Sequence, residues 1–154
     1  MKIKSKTPNE SVSQMMELVL PNHTNTMGKL FGGKLLEWID MVATLAAKRH
    51  CNESVVTAVM DSVEFLNPTN MGEVVELNSC VNRAFRTSME VGVKVFAEDF
   101  KSSVRTHIAS AYVTVVAVDD EGRPTPVPEI FPETEDEVRR FSEAALRREQ
   151  RLKE

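Results

Sequence analysis

The stretch "FGGKLLEWIDMVATLAAKRH", residues 31–50, carries a single carboxylate, Asp40, between Ile39 and Met41 in a helix-periodic apolar run. At about 100° per residue, Leu35, Leu36, Trp38, Ile39, Val42, Ala43, Leu45, Ala46 and Ala47 share one broad arc, and Lys34, Glu37, Met41, Thr44 and Lys48 occupy the other. Asp40 falls at the border, between Leu36 and Ala47 on one side and Thr44 and Glu37 on the other. A border carboxylate is ordinarily a solvated residue of a packed helix. Two features point towards proton transfer instead. No Lys or Arg stands three or four positions away to pair with Asp40, and Glu37, three positions before it, is a like charge. Periodicity alone leaves both readings open.

The residues that could assist lie just before the helix. "PNHTNTMGKLFGG" holds three of the chain's six glycines, Gly28, Gly32 and Gly33, and reads as a long loop of the kind that often carries function. Asn25 within it suits a turn. Gly32 and Gly33 could be a tight helix start and nothing more. They could also leave backbone N–H groups open to a bound carbonyl, at the positive end of the helix dipole. Gly33 and Asp40 are separated by about 10 Å along a helix, so one carbonyl cannot easily touch both. A site shared between two chains resolves this. Farther on, Arg86, Thr87 and Ser88 read either as a polar turn or as a phosphate grip, with Arg83, Lys101 and Arg105 as weaker cations for the same anion.

These residues need a scaffold. With 154 residues, 42% apolar and 27% charged, the chain suits one globular domain rather than a disordered segment. A net charge of −4 excludes a general affinity for nucleic acid, so an anionic ligand would need a local cation cluster. The two cysteines, Cys51 and Cys80, have no metal-ligand spacing and imply no disulfide framework. "MKIKSKTPNE" lacks the apolar core of a signal peptide, and the run "YVTVVAV" is far short of the roughly 20 residues that span a bilayer. A cytoplasmic location is expected.

The elements follow in order. Residues 15–20 suggest a first strand, residues 33–50 one enclosed helix, and residues 55–66, 74–85, 88–97 and 104–118 four further strands. Val91, Val93 and Val95 alternate with polar residues or glycine, which predicts a sheet with one covered face, whereas "YVTVVAV" looks buried on both. The connections are too short for helical crossovers, so the sheet should be antiparallel. Thr134 and Glu137 form a capping-box pattern opening a charged helix with a thin stripe of Val138, Phe141, Ala145 and Leu152. That helix is expected to lie lightly on the body or a neighbouring subunit, or to remain a solvated tail. One helix swaddled by a curved antiparallel sheet is an α+β hotdog arrangement, spanning residues 8–128 with a helical tail over 129–154.

On this order of motifs the chain resembles the hotdog-fold acyl-CoA thioesterases, the group of YciA-type enzymes and the brain acyl-CoA hydrolase. The resemblance rests on "HTNTMGKLFGGKLLEWIDMVATLAAKRH", "VEFLNPTNMGEVVEL", "NRAFRTSMEVGVKV" and "VDDEGRPTPVP", and covers residues 12–128. It implies hydrolysis of acyl-CoA to free acid and coenzyme A without metal or organic cofactor. Asp40 would be general base or nucleophile, Asn25 would orient water or substrate, Gly32 and Gly33 would receive the carbonyl, and Arg86, Thr87 and Ser88 would contact coenzyme A. It also implies a homo-oligomer with the dimer as site-forming unit, assembled to a hexamer, with no nucleic-acid or membrane partner. The alternatives are a dehydratase or hydratase on the same fold and an acyl-CoA-sensing module without turnover. His23, His50 and His107 do not stand in the dehydratase pattern; His50 sits at the helix end, where a cation would favour the dipole. No GxSxG serine motif is present.

Overall fold

The computed structural model describes residues 4–154. Its elements are β1 (Ser13–Leu18), α1 (Gly32–Cys51), β2 (Ser54–Phe65), β3 (Val74–Ala84), β4 (Ser88–Glu98), β5 (Arg105–Val118) and α2 (Glu135–Leu152), with short 3₁₀ turns at Pro8–Ser11 and Pro21–His23. The five strands form one antiparallel sheet in the order β1-β3-β4-β5-β2. This is the expected α+β hotdog arrangement.

Alternation in the strands creates the core. Val75, Leu77 and Val81 of β3 and Val91, Val93 and Val95 of β4 turn to the covered face and are buried. Against them α1 packs Leu35, Trp38, Ile39, Val42, Ala43, Ala46 and Ala47. One polar contact ties helix to sheet: the Ser79 hydroxyl donates to the Val42 carbonyl at 2.7 Å. Asn52 ends α1 in the left-handed conformation, at φ 56°, and its N–H bonds the Lys48 carbonyl. Lys6 closes the same helix end by donating to the Arg49 carbonyl at 3.0 Å.

Several expectations are corrected. Strand β1 ends at Leu18 rather than residue 20: the Val19 N–H still bonds the Glu73 carbonyl at 3.0 Å, but Leu20 caps the 3₁₀ turn that starts at Pro21. Leu45 was expected under cover but is 42% exposed, beside Met41 at 50%, because the sheet wraps only one side of α1. His50 is no cation for the helix dipole. It is fully buried, its Nε2–H donates to the Pro128 carbonyl at 2.7 Å, and loss of water pushes its pKa down.

Helix α2 docks firmly, through only part of its apolar stripe: Phe141 packs against the core and carries the Arg83 guanidinium 3.8 Å from its ring centroid. Val138 and Leu152 are exposed, at 47% and 70%. Arginines hold the helix as well. Arg147 makes two bonds to the Glu90 carboxylate, at 2.7 and 2.9 Å, while its guanidinium stacks 3.6 Å from the Tyr112 ring centroid. Arg151 bonds Asp61 of β2 at 2.9 Å. These partners sit on the sheet face opposite α1, so the helix crosses the back of the sheet. The expected capping box is present, with Thr134 Oγ1 accepting from the Glu137 N–H at 3.1 Å.

Candidate active site

The glycine loop is built around Asn25. Its side-chain oxygen accepts the N–H of Met27 at 2.9 Å and of Lys29 at 3.1 Å, while Gly28, at φ 73°, closes the turn. The bland turn role of Asn25 is therefore real. It commits Oδ1 to the loop, and the amide NH₂ has no acceptor among the described residues. The loop is tied down at both ends. Phe31 N–H bonds the His23 carbonyl and Leu30 N–H bonds the Thr69 carbonyl. His23 accepts from the Leu20 N–H at 3.1 Å and sets its ring edge-on to Trp38, so its role is to hold the loop.

Where the loop becomes helix, the N–H groups of Gly32 and Gly33 find no acceptor among the described residues, as expected for a first helical turn without a side-chain cap. The two glycines differ in their surroundings. A Cβ on Gly33 would lie 2.7 Å from the Phe31 ring, whereas one on Gly32 would meet Phe65 only at 4.0 Å. Gly32 and Asn25 line one cavity of about 350 Å³, together with Leu35, Phe65, Asn67 and Pro68.

Asp40 does not line that cavity. It is half-buried, and its Oδ1 accepts a 2.6 Å hydrogen bond from the hydroxyl of Thr57 on β2. Thr57 sits immediately before a bulge. Thr57 pairs with Val115 and Val59 with Thr114, so Ala58 is the extra residue. Sequence reasoning missed Thr57. Its only local mark is a β-branched residue in a strand, and nothing in "VVTAVM" indicates that the hydroxyl meets a helix residue 17 positions earlier.

Arg86, Thr87 and Ser88 occupy the β3–β4 turn, closed by Phe85 N–H to the Ser88 carbonyl at 2.8 Å. None of them lines the Asn25 cavity. The weaker cations are engaged elsewhere. Arg105 pairs with Glu76 and stacks on Phe96, Arg83 donates to the Phe141 carbonyl at 3.1 Å, and Lys101 lies in the exposed β4–β5 turn. His107 bonds Ser110 within its own strand. Among the described residues no group of three or more His, Cys, Asp and Glu side chains could hold a metal ion, and no helix is long and apolar enough to cross a membrane. One protomer thus presents two separate groups of polar atoms. One combines a free amide with free backbone N–H groups beside a cavity; the other is a carboxylate oriented by a hydroxyl.

Comparison with known proteins gives the family of this chain. Residues 27–104 match the thioesterase superfamily. A Bacillus subtilis relative named as the uncharacterized acyl-CoA thioester hydrolase YkhA is 44% identical over 133 residues, covering 86% of this chain and 77% of that protein. A crystal structure of an apo-hexameric acyl-CoA thioesterase superposes with a TM-score of 0.94 at 42% identity, covering 98% of this chain and 97% of the other. An acyl-CoA hydrolase of Staphylococcus aureus, solved with butyryl coenzyme A and coenzyme A, gives a TM-score of 0.89 at 36% identity over 96% and 90% of the two chains. Variants of that hydrolase with one asparagine, one aspartate or one threonine changed to alanine have also been solved. The chain belongs to the thioesterase superfamily. Within it, the chain is a hotdog-fold acyl-CoA thioesterase of the YciA and brain acyl-CoA hydrolase group.

Proposed function

We propose that the protein hydrolyses acyl-CoA thioesters in the cytoplasm at a site completed by two copies of the chain. The observation that carries this reading is the separation of the half-sites. Asn25 and Gly32 line one cavity, with Gly33 next in the chain, while the Asp40–Thr57 pair lies outside it. A dimer brings the Asn25 and glycine half-site of one protomer to the Asp40 half-site of its partner. Strand β2 is one of the two edge strands and leaves Val56 and Phe65 exposed, and α1 exposes Met41 and Leu45. An open strand edge bordered by apolar side chains is a surface that a second copy covers well. The hexameric relative supports further assembly of such dimers into a hexamer.

In this reading the thioester carbonyl accepts the helix-start N–H groups, and the Asn25 amide holds the attacking water or the substrate. Asp40 takes the proton from water as it attacks, and the tetrahedral oxyanion rests on the backbone donors. Collapse expels coenzyme A as a thiolate, which recovers the proton from Asp40. Direct attack by the Asp40 carboxylate, with water then cleaving the anhydride, uses the same geometry. Neither route draws on a cofactor. Arg86, Thr87 and Ser88 hold the coenzyme A end. The reading is further supported by the Staphylococcus aureus variants, whose substituted asparagine, aspartate and threonine have the spacing of Asn25, Asp40 and Thr57.

The test is thiol release from a C4 to C18 acyl-CoA series by the native chain and by Asp40→Asn, which keeps the size and removes the base. A fall in kcat on the order of 10²-fold or more is expected. A variant nearly as fast as the native chain would overturn the assignment of Asp40. Binding of acyl-CoA with no turnover by either chain would favour a sensing module.

A further inference from the structure

The β3–β4 turn gathers more positive charge than the Arg86–Ser88 segment alone provides. The Phe85 ring has the Arg148 guanidinium 4.4 Å from its centroid and that of Arg83 at 5.8 Å, with Arg86 next in the chain at the exposed turn. None of these three arginines has a carboxylate within 4.0 Å among the described residues, nor have Arg49 and Arg140, whereas Arg105, Arg123, Arg139, Arg147 and Arg151 all do. Three cations without counter-ions repel one another, and a chain with a net charge of −4 has carboxylates to spare for them. Their isolation needs a reason.

Placement supplies one. Arg148 is carried by α2 between two anchors, Arg147 on Glu90 and Arg151 on Asp61, so its position is set by a rigid element rather than a loose tail. A guanidinium stacked on an aromatic face keeps its edge N–H groups free, in the fork geometry that fits phosphate oxygens. Arg83 gives one N–H to the Phe141 carbonyl and retains others. The turn below adds the Thr87 and Ser88 hydroxyls.

We infer that α2 is part of the substrate site: Arg148, with Arg83 and Arg86, binds the phosphates at the nucleotide end of coenzyme A. This rests on the acyl-CoA reading above and adds to it a role for the C-terminal helix. Arg148 acts on binding rather than on the bond-breaking step, which involves none of its atoms. Its loss should therefore raise KM for acyl-CoA and leave kcat alone. It should also leave untouched a thioester that lacks the nucleotide.

The experiment compares native chain, Arg148→Gln, Arg148→Lys and, as a control on the same helix, Arg139→Gln. Calorimetry measures coenzyme A binding, and kinetics compares butyryl-CoA with butyryl-pantetheine. For Arg148→Gln we expect affinity for coenzyme A and kcat/KM for butyryl-CoA to fall about 10-fold or more, as for loss of one charge-assisted phosphate contact. Turnover of butyryl-pantetheine should stay within about twofold, Arg148→Lys should recover part of the loss, and Arg139→Gln should match the native chain. Should Arg148→Gln fail to fold, Arg86→Gln at the exposed turn carries the same comparison. Native binding of coenzyme A with an unchanged Kd in Arg148→Gln overturns this inference alone. Equal losses for butyryl-CoA and butyryl-pantetheine also overturn it. A native chain that binds no coenzyme A overturns the functional reading itself.

Discussion

Replacing Thr57 by valine removes the hydroxyl that orients Asp40 and keeps the side-chain shape. The lost contact is a 2.6 Å hydrogen bond to a carboxylate oxygen. A hydrogen bond to a charged group contributes about 1.5–3 kcal/mol, and the lower end applies because Thr57 is exposed in the protomer. At about 1.36 kcal/mol per tenfold in rate, a loss of ~1.5 kcal/mol expressed in the transition state slows the reaction roughly 10-fold. The carboxylate remains, so the effect should be well below that of Asp40→Asn. Steady-state thiol release should show the fall in kcat with KM changed less than about twofold, since the bond holds the base rather than the substrate. Thr57→Ser, which keeps the hydroxyl, should stay near the native rate. Thermal unfolding should be nearly unchanged, because the pair lies at an edge strand and supports little of the core. A Thr57→Val enzyme with native kcat would refute the idea that this bond positions the base. So would a loss seen only in KM.

Two stability predictions follow from the buried polar groups. His50 is held neutral by burial, its pKa lowered from the ordinary 6.5, with the Pro128 carbonyl opposing that shift. The unfolded chain therefore binds the extra proton first, so His50 favours the fold above pH 6.5 and this contribution is lost as pH falls below it. Urea midpoints measured between pH 7.5 and pH 5 should fall for the native chain, and less steeply for His50→Gln; parallel curves would show that other groups dominate. Gly92 lies beneath buried Asn82, and an added Cβ would stand 2.7 Å from its amide nitrogen, which itself donates to Glu90 at 3.1 Å. Gly92→Ala should cost about 1–3 kcal/mol, read as a lowered urea midpoint with unchanged slope. An unchanged midpoint would mean that Asn82 can move without losing its bond.

Much of the fold was legible because it depends on local patterns. The wide apolar arc of residues 35–47 marked the long helix packed on the sheet, and the alternating valines of β4 marked a sheet with one covered face. Where local pattern and tertiary packing diverged, the reading failed. The stripe of Val138, Phe141, Ala145 and Leu152 suggested an apolar contact, yet Phe141 packs on the core while Val138 and Leu152 are exposed, and arginines add the anchors. A guanidinium can close a contact only where a carboxylate or ring waits on another strand, and spacing within the helix carries no trace of that partner.

The same division runs through the candidate site. By itself the sequence determined which groups are available: an unpaired acid in mid-helix, an asparagine on a glycine loop and two glycines at a helix start. It also determined that one helix cannot bring its first turn and Asp40 to a single carbonyl, since helical rise is a constant of the backbone. Only the tertiary structure decided that Thr57 meets Asp40, because a strand bulge at Ala58 and the docking of β2 beside α1 set that contact. Only packing could bring Arg148 over Phe85. Chemistry of single residues is written in their types; the pairs they form depend on register, bulges and crossing helices, which arise from long-range contacts between distant parts of the chain.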